Sequence, residues 1–323
     1  MNVLITGIAG FIGSNLAKLL LDQGCVIYGI DNFSYGFERN ISNLINNKKF
    51  HFIKGDLADP SLLKNTHVDV IVHLASQKIP RYTSALRTLD ENYLMLRNIV
   101  DKCLKDKSRI VFASTSDVYG KNEKLPFHEE SDLVLGPTDV KRWAYACSKI
   151  HGEQYIIANY DEFGLDYTIT RFFGSYGPNQ NLTWWGGPQS VFISKALNNE
   201  PIEIHGNGLQ SRTFTFIDDT VDGLSKVILN EMAVNEVFNI GSNIESDISI
   251  LELGKLIWQL IQGEDSVPLL KFIPYSDFGK YEDVQKRIPD ISKITRLLGF
   301  QPLHSLKEGL LKTITWQREI IYS

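Results

Sequence analysis

The sequence predicts an α/β fold: a doubly wound parallel sheet of the Rossmann kind, with a smaller C-terminal lobe. Three observations carry this. Short apolar runs rich in β-branched residues alternate with helix-patterned stretches through the first 173 residues, the rhythm of a parallel sheet covered on both faces. The first run, residues 2–6, is followed at once by Gly7, Gly10 and Gly13 and then by an amphipathic stretch ending at Gly24, an order that presents a helix N-terminus to a phosphate. The second run ends at Asp31, 18 residues beyond Gly13, close to where such a fold sets an acid against a ribose.

Bulk composition narrows the class. The chain has 323 residues, 43% hydrophobic and 22% charged, with a formal net charge of -5. This composition suits a globular protein of one or two domains, and it offers no basic field for nucleic acid or an anionic membrane. Cys25, Cys103 and Cys147 are spaced for neither a zinc site nor a disulfide framework, and the seven histidines form no ligand pattern, so no metal is expected. The chain enters a strand at its second residue, and no apolar run reaches membrane-spanning length, so a cytoplasmic protein is expected.

The elements follow in order. Gly7 permits the first turn, Gly10 lets the backbone approach a pyrophosphate, and Gly13 lets the first helix sit close to its strand. Asp31, at the end of strand 25–30, is placed to bond ribose hydroxyls and to repel a 2′-phosphate, which favours NAD over NADP. Strands are expected at 50–54, 69–73 and 109–113, with a long helix at 83–104. Asp56 is placed either to reach an adenine or to cap the helix near Pro60. Leu86, Leu89, Leu96, Ile99, Val100 and Cys103 pattern a covered helix face, core or subunit interface. A helix is expected over 140–160, a strand over 166–172, and a helix over 189–198. Residues 211–219 and 237–242 read as strands returning to the main sheet, and the last 80 residues as short helices and loops. The boundaries are therefore 1–173 for the nucleotide-binding domain, with 211–242 returning to it, and 174–323 mainly for a substrate-binding lobe.

Strand 109–113 delivers Ser114, Thr115, Ser116 and Asp117 to the sheet edge where open α/β folds bind ligands. Tyr145 and Lys149, four residues apart, share a face of the following helix. A tyrosine is a poor base at its ordinary pKa near 10. An ammonium one turn away, beside a positively charged nicotinamide, lowers that value, and Thr115 can orient a substrate hydroxyl. The chemistry this suits is oxidation of an alcohol. Lys78 and Arg81 are candidates to meet a substrate anion. Trp184 and Trp185 either stack on a base or sugar or plug the interface between lobes.

These segments resemble a known family. TGIAGFIG, GDLAD, HLAS, STSDVYG, YACSK, RFFGSYGP, SRTFTFIDD and VFNIGS are similar, in order, to the extended short-chain dehydrogenases/reductases of the NAD-dependent nucleotide-sugar epimerase/dehydratase type. The resemblance implies Tyr145 as base, Lys149 as its partner and Thr115 as hydrogen-bond donor, with transient oxidation of a sugar at C4. It implies cofactor contacts at Gly7, Gly10, Phe11, Ile12, Gly13, Asp31, Asn32, Asp56, Leu57, Leu74, Ala75, Asn92, Ser114, Tyr145, Lys149 and Phe172. It further implies substrate contacts at Ser116, Gly174, Gln189 and Tyr281, and a diphosphate clamp of Arg212 and Arg287, whose forked donors suit phosphate. A UDP-sugar substrate and a homodimer are expected on the same basis.

Two positions depart from the family pattern. Gly174 stands where many relatives carry a substrate-binding Asn. Asp117 aligns with a Glu of 4,6-dehydratases and UDP-glucuronate decarboxylases, where epimerases usually have small residues. GPTDVKRWAYACSK and GKYEDVQKRIPD resemble the oxidative UDP-glucuronate decarboxylases in particular, and RWAY-type segments are also similar to those of UDP-uronate and UDP-hexose 4-epimerases. The leading expectation is 4-epimerisation of a UDP-hexose or UDP-uronate. The alternatives are oxidative decarboxylation of UDP-glucuronate, with Arg287 and Ser116 approaching the sugar carboxylate and Asp117 assisting proton transfer, where an epimerase would leave Asp117 a supporting or capping residue; then dehydration; and finally a non-catalytic NAD-binding scaffold.

Overall fold

The computed structural model describes residues 1–64, 66–78, 84–243, 246–280 and 282–322. Among the described residues there are fourteen strands, seven of which make the central sheet. In chain order the strands are β1 (Asn2–Thr6), β2 (Val26–Asp31), β3 (Phe50–Lys54), β4 (Val70–His73), β5 (Arg109–Thr115), β6 (Tyr167–Phe172), β7 (Ser175–Tyr176), β8 (Ile202–His205), β9 (Ser211–Thr213), β10 (Thr215–Phe216), β11 (Glu236–Ile240), β12 (Asp247–Ser249), β13 (Leu270–Ile273) and β14 (Lys286–Arg287). The large sheet runs β11-β6-β5-β4-β1-β2-β3, and every pairing in it is parallel. Strand order reverses between β1 and β4, which opens a crevice at their C-terminal ends.

Alternation along each strand divides the core in two. Val3, Ile5, Val70, Val72 and Val111 face one layer, while Leu4, Ile71, Ile110 and Phe112 face the other. The first layer is covered by helices α1 (Phe11–Asp22) and α6 (Ile217–Leu229). The second is covered by α3 (Ala85–Asp106) and α4 (Trp143–Phe163). Helix α3 starts at Ser84, whose hydroxyl accepts from the Arg87 amide (3.2 Å), and both long helices stop on a left-handed residue, Lys107 at φ 57° and Gly164 at φ 70°. The buried face of α3 includes Leu96, Ile99, Val100 and Cys103, whereas Leu86 and Leu89, in its first turns, are exposed and so do not join the core.

Against expectation, residues 211–219 form no single strand of the main sheet. They split into β9, in a small sheet with β12 and β14, and β10, which pairs with β7; the helix α6 then begins at Ile217. Asp218 and Asp219 in its first turn favour that start. Strand β11 does return to the main sheet, beside β6. Helix α5 (Pro188–Leu197) packs on α7 (Ile250–Gln262), and α9 (Leu306–Tyr322) packs on both; α8 (Ser292–Leu298) is a short helix, as expected, and lies against β11 and α6, whereas α7 and α9 are longer than expected in the second lobe. A single-turn helix, α2 (Glu38–Ile41), follows β2. Among the described residues no helix is long and apolar enough to cross a membrane.

Candidate active site

A cleft of about 560 Å³ runs along the C-terminal ends of β1, β2, β4 and β5 and under the second lobe. Its floor is the glycine turn. Gly7 has φ 71°, and a Cβ there would lie 3.1 Å from the Ala75 amide nitrogen. At Gly13 a Cβ would sit 2.3 Å from the Gly7 carbonyl oxygen, so only glycine lets α1 pack this close to β1. Helix α1 begins at Gly10 with no side chain capping it, leaving its first turn facing the cleft. Asp31 accepts from the Ala9 amide (3.0 Å) and the Phe33 amide (2.7 Å), and burial raises its pKa against those bonds. Asn32 donates to Asp56 (2.9 Å), which lines the cleft; the cap of the turn at Pro60 is Asp59 instead. Phe11, Ile12, Leu57, Leu74, Ala75, Ser114 and Phe172 also line it. A glycine cradle with no room for side chains, an uncapped helix N-terminus and a strand-end acid fit a dinucleotide.

Asn92 stands behind this wall. Its carbonyl accepts from the Gln77 amide (2.7 Å) and the Ser76 hydroxyl (3.2 Å), and its amide donates to the Gln77 carbonyl (2.9 Å) and Ser148 (3.0 Å). It ties the loop after β4 to α4 and does not line the cleft.

The strand end and α4 bring Thr115, Tyr145 and Lys149 together. Lys149 is 3% exposed, donates to the Ala113 carbonyl (2.7 Å), and lies 4.7 Å from the centre of the Phe112 ring. Burial pulls its pKa down to about 7. The Tyr145 phenol sits beside the hydroxyls of Ser76 and Thr115, and its pKa is raised, first by burial and then by the Asp117 charge. The lowering expected from Lys149 is therefore not produced by this chain alone; the chain holds the phenol neutral. Thr115 accepts from the Asp117 amide (3.2 Å). Below them Ser114 donates to Glu153, which pairs with Arg171 (2.6 Å), and Arg171 reaches the Tyr119 hydroxyl (3.0 Å). This buried network fixes the end of β5 against β6 and α4.

Asp117 is enclosed by cations. Its Oδ1 meets Arg287 (2.5 Å) and Arg142 (3.2 Å); Asp283 Oδ1 meets Arg142 (2.8 Å) and Arg212 (3.0 Å). Burial raises the Asp117 pKa, but Arg287, Arg142 and Arg212 together bring it below its ordinary value, and Asp283 falls to about 2 by the same balance. Arg212 drops to about 10 through burial and repulsion from Arg287. The Nε of Arg287 is buried without a hydrogen-bond partner among the described residues.

Of the expected substrate contacts, Ser116, Lys78, Gly174 and Arg287 line the cleft. Gly174 accounts for the missing Asn: a Cβ there would lie 2.6 Å from the Thr213 carbonyl. Gln189, in the first turn of α5, is buried, and Arg212 is turned to Asp283, neither lining the cleft. Arg81 and Tyr281 lie outside the described residues. Sequence reasoning passed over Arg142, Ser76 and Tyr35, all at the cleft. The signal for Arg142 was its place three residues before Tyr145, one helical turn away on the same face. Among the described residues no group of three or more His, Cys, Asp or Glu is placed to hold a metal.

Fold and site together define an NAD-dependent enzyme of the extended short-chain dehydrogenase/reductase class. The chain belongs to the NAD dependent epimerase/dehydratase family, whose model matches residues 3–241. It is 35% identical to a UDP-N-acetyl-alpha-D-glucosaminuronate decarboxylase of Bacillus cytotoxicus, over 98% of each chain. It is 34% identical to UDP-glucuronic acid decarboxylase 1 of Xenopus tropicalis, over 98% of this chain and 72% of that one. The fold is similar to the UDP-glucuronic acid 4-epimerase of Bacillus cereus, solved with UDP-glucuronic acid and NAD, at a TM-score of 0.88 and 27% identity over 99% of this chain and 100% of that one.

Proposed function

We propose that this protein acts on a UDP-uronic acid through transient oxidation at C4, with release of the sugar carboxylate as carbon dioxide as the leading outcome. The observation that carries this reading is the arginine cluster. Arg142 and Arg287 reach the cleft beside Thr115 and Tyr145, and among the described residues Arg142, Arg212 and Arg287 gather on the carboxylates of Asp117 and Asp283. A sugar carboxylate can add charge-assisted, forked hydrogen bonds to such guanidiniums; a neutral hexose cannot. The full-length likeness to decarboxylases supports the same choice.

Gly7, Gly10 and Gly13 hold the pyrophosphate of NAD, and Asp31 holds its adenosine ribose. When bound, NAD supplies the ring that takes up and later returns the C4 hydrogen with its electron pair, and a positive charge beside the phenol. Tyr145 takes the proton from the C4 hydroxyl while Thr115 orients that hydroxyl, and the Lys149 ammonium, fixed on the Ala113 carbonyl, favours the phenolate. A ketone at C4 stands β to the C6 carboxylate. The C5–C6 bond breaks with its electron pair drawn onto the ketone oxygen, carbon dioxide leaves, and one solvent proton restores C5. Arg142 and Arg287 hold the carboxylate until it is lost, and Asp117 is their counter-ion.

Epimerisation at C4, the leading expectation from sequence, is the second reading. It is supported by the likeness to the Bacillus cereus epimerase and by the engagement of Asp117 with two guanidiniums, which ties down a carboxylate otherwise able to move a proton at C5. A homodimer through α3 and α4 belongs to the same proposal; these helices expose Leu86, Leu89, Tyr93 and Phe163. The test is a panel of UDP-hexoses and UDP-uronates with products resolved by NMR. Turnover of uronates and not hexoses is expected, and equal turnover of both would overturn the reading.

A further inference from the structure

Two aromatic residues meet across the cleft from opposite lobes. Tyr35, on the loop after β2, stacks on Trp185, on the loop after β7, with ring centroids 4.1 Å apart and planes inclined by 30°, and both rings line the cleft. Each ring is presented by a fixed loop. On the first side, Ala9 of the glycine turn donates to Asp31 (3.0 Å) and its carbonyl accepts from the Phe37 amide (3.0 Å) and from Asn40 (2.9 Å). Asp31 also takes the Phe33 amide (2.7 Å), so the loop carrying Tyr35 is clipped at both ends to the phosphate-binding turn. On the second side, Trp184 is stacked on His205 (4.5 Å) and set edge-on to Phe192, which anchors it in the lobe and leaves its neighbour Trp185 pointing across to Tyr35. The same lobe loop is latched to the first domain by Asn15, which donates to the Pro178 carbonyl (3.1 Å), and by Asn179, which donates to Ser14 (3.2 Å).

We propose that Tyr35 and Trp185 form a strap that closes over NAD and keeps it bound from one turnover to the next. The inference rests on the redox-neutral cycle proposed above. There the cofactor takes electrons at C4 and gives them back to the same sugar, so escape of the reduced form would strand an oxidised product. A strap built on the turn that binds the pyrophosphate and on the carboxylate that binds the ribose closes only around that cofactor. Neither ring is assigned to the sugar or the base.

The experiment uses the full chain loaded with NADH, with release followed by loss of NADH fluorescence on dilution into excess NAD. An aromatic pair contributes about 0.5–1.5 kcal/mol beyond its area, so Tyr35→Ala and Trp185→Ala should each speed release by about 2- to 10-fold. Because one contact is broken in every case, the double variant should release no faster than the faster single one. Tyr35→Phe keeps the ring and should release at the original rate, and the affinity for UDP should be unchanged throughout. Release at the original rate from both alanine variants, fully additive effects, or a loss of UDP affinity instead of NADH retention would overturn the strap. Failure of the unaltered protein to bind NADH would overturn the functional reading beneath it.

Discussion

Replacing Asp117 by Asn separates two roles for a carboxylate at the reacting end of the cleft. Its Oδ1 lies 2.5 Å from Arg287 and 3.2 Å from Arg142, and its side chain is 24% exposed. At an effective dielectric near 20, each such pair represents about 4 kcal/mol of Coulomb attraction. Desolvation and partial exposure remove most of that, and Asn keeps one acceptor oxygen, so a net loss of about 1–2 kcal/mol of stability is expected. As a counter-ion, Asp117 should cost less than about tenfold in kcat when neutralised, whereas a proton-transferring group costs about 10²–10⁴-fold. KM for a uronate should hold or fall, since the cluster gains net positive charge. Urea unfolding gives the stability and single-turnover kinetics the rate. A loss of about 100-fold or more in rate with stability unchanged would refute the counter-ion assignment. Acid adds a check. The carboxyl is held below its ordinary value, so its contribution is complete above the unfolded pKa near 3.9 and is lost as pH falls through the lower folded value, together with that of Asp283 at about 2. Asp117→Asn should therefore show a shallower loss of stability below about pH 4.

Three further outcomes follow from the same geometry. Tyr145→Phe removes the proton-moving oxygen and should reduce kcat by at least about 10²-fold while NAD binding, measured by calorimetry, is retained; activity within tenfold of the original would contradict the assignment. Gly13→Ala places a Cβ 2.3 Å from the Gly7 carbonyl and should cost about 1–3 kcal/mol of stability, with weakened NAD binding, because α1 must move off the glycine turn; unchanged thermal unfolding would refute the close approach. Lys149 has its folded pKa depressed to about 7 against about 10.5 unfolded. Between those values the unfolded chain binds a proton that the folded chain does not, so Lys149 makes stability rise with pH across that window, by at most about 1.4 kcal/mol per unit. Nucleotide-free protein compared with Lys149→Met at pH 6.5 and 9 should show that difference, and parallel pH profiles would contradict it.

What could be read in advance was what the chain codes locally. Gly7, Gly10, Gly13 and Asp31 lie within one strand–turn–helix–strand unit, and Tyr145 and Lys149 within two turns of α4, so spacing alone predicted their arrangement. The arginine cluster was opaque because Asp117, Arg142, Arg212, Asp283 and Arg287 arrive from separate segments and meet only when the second lobe folds over the sheet. The Tyr35–Trp185 contact likewise joins residues far apart in sequence; the reading of Trp185 as a plug between lobes named no partner for it, and Tyr35 is that partner. Residues 211–219 misled because alternating Thr and Phe carry a strand's period, while the acidic first turn of α6 spoke for a helix from Ile217. Leu86 and Leu89 keep helical spacing with the core residues of α3 but are exposed, so spacing alone did not separate core from an outward apolar face.

The central claim is that the arginine-lined end of the cleft receives a sugar carboxylate and that the C4 ketone expels it. It is tested most directly by incubating the NAD-loaded protein with a UDP-uronic acid labelled with carbon-13 at C6 and following the label by NMR. Label appearing as bicarbonate, with an unlabelled UDP-pentose formed in equal amount and no net NADH, is the predicted result. Label retained in a C4-epimeric uronate would move the assignment to epimerisation, and label left in the unchanged substrate would contradict the account.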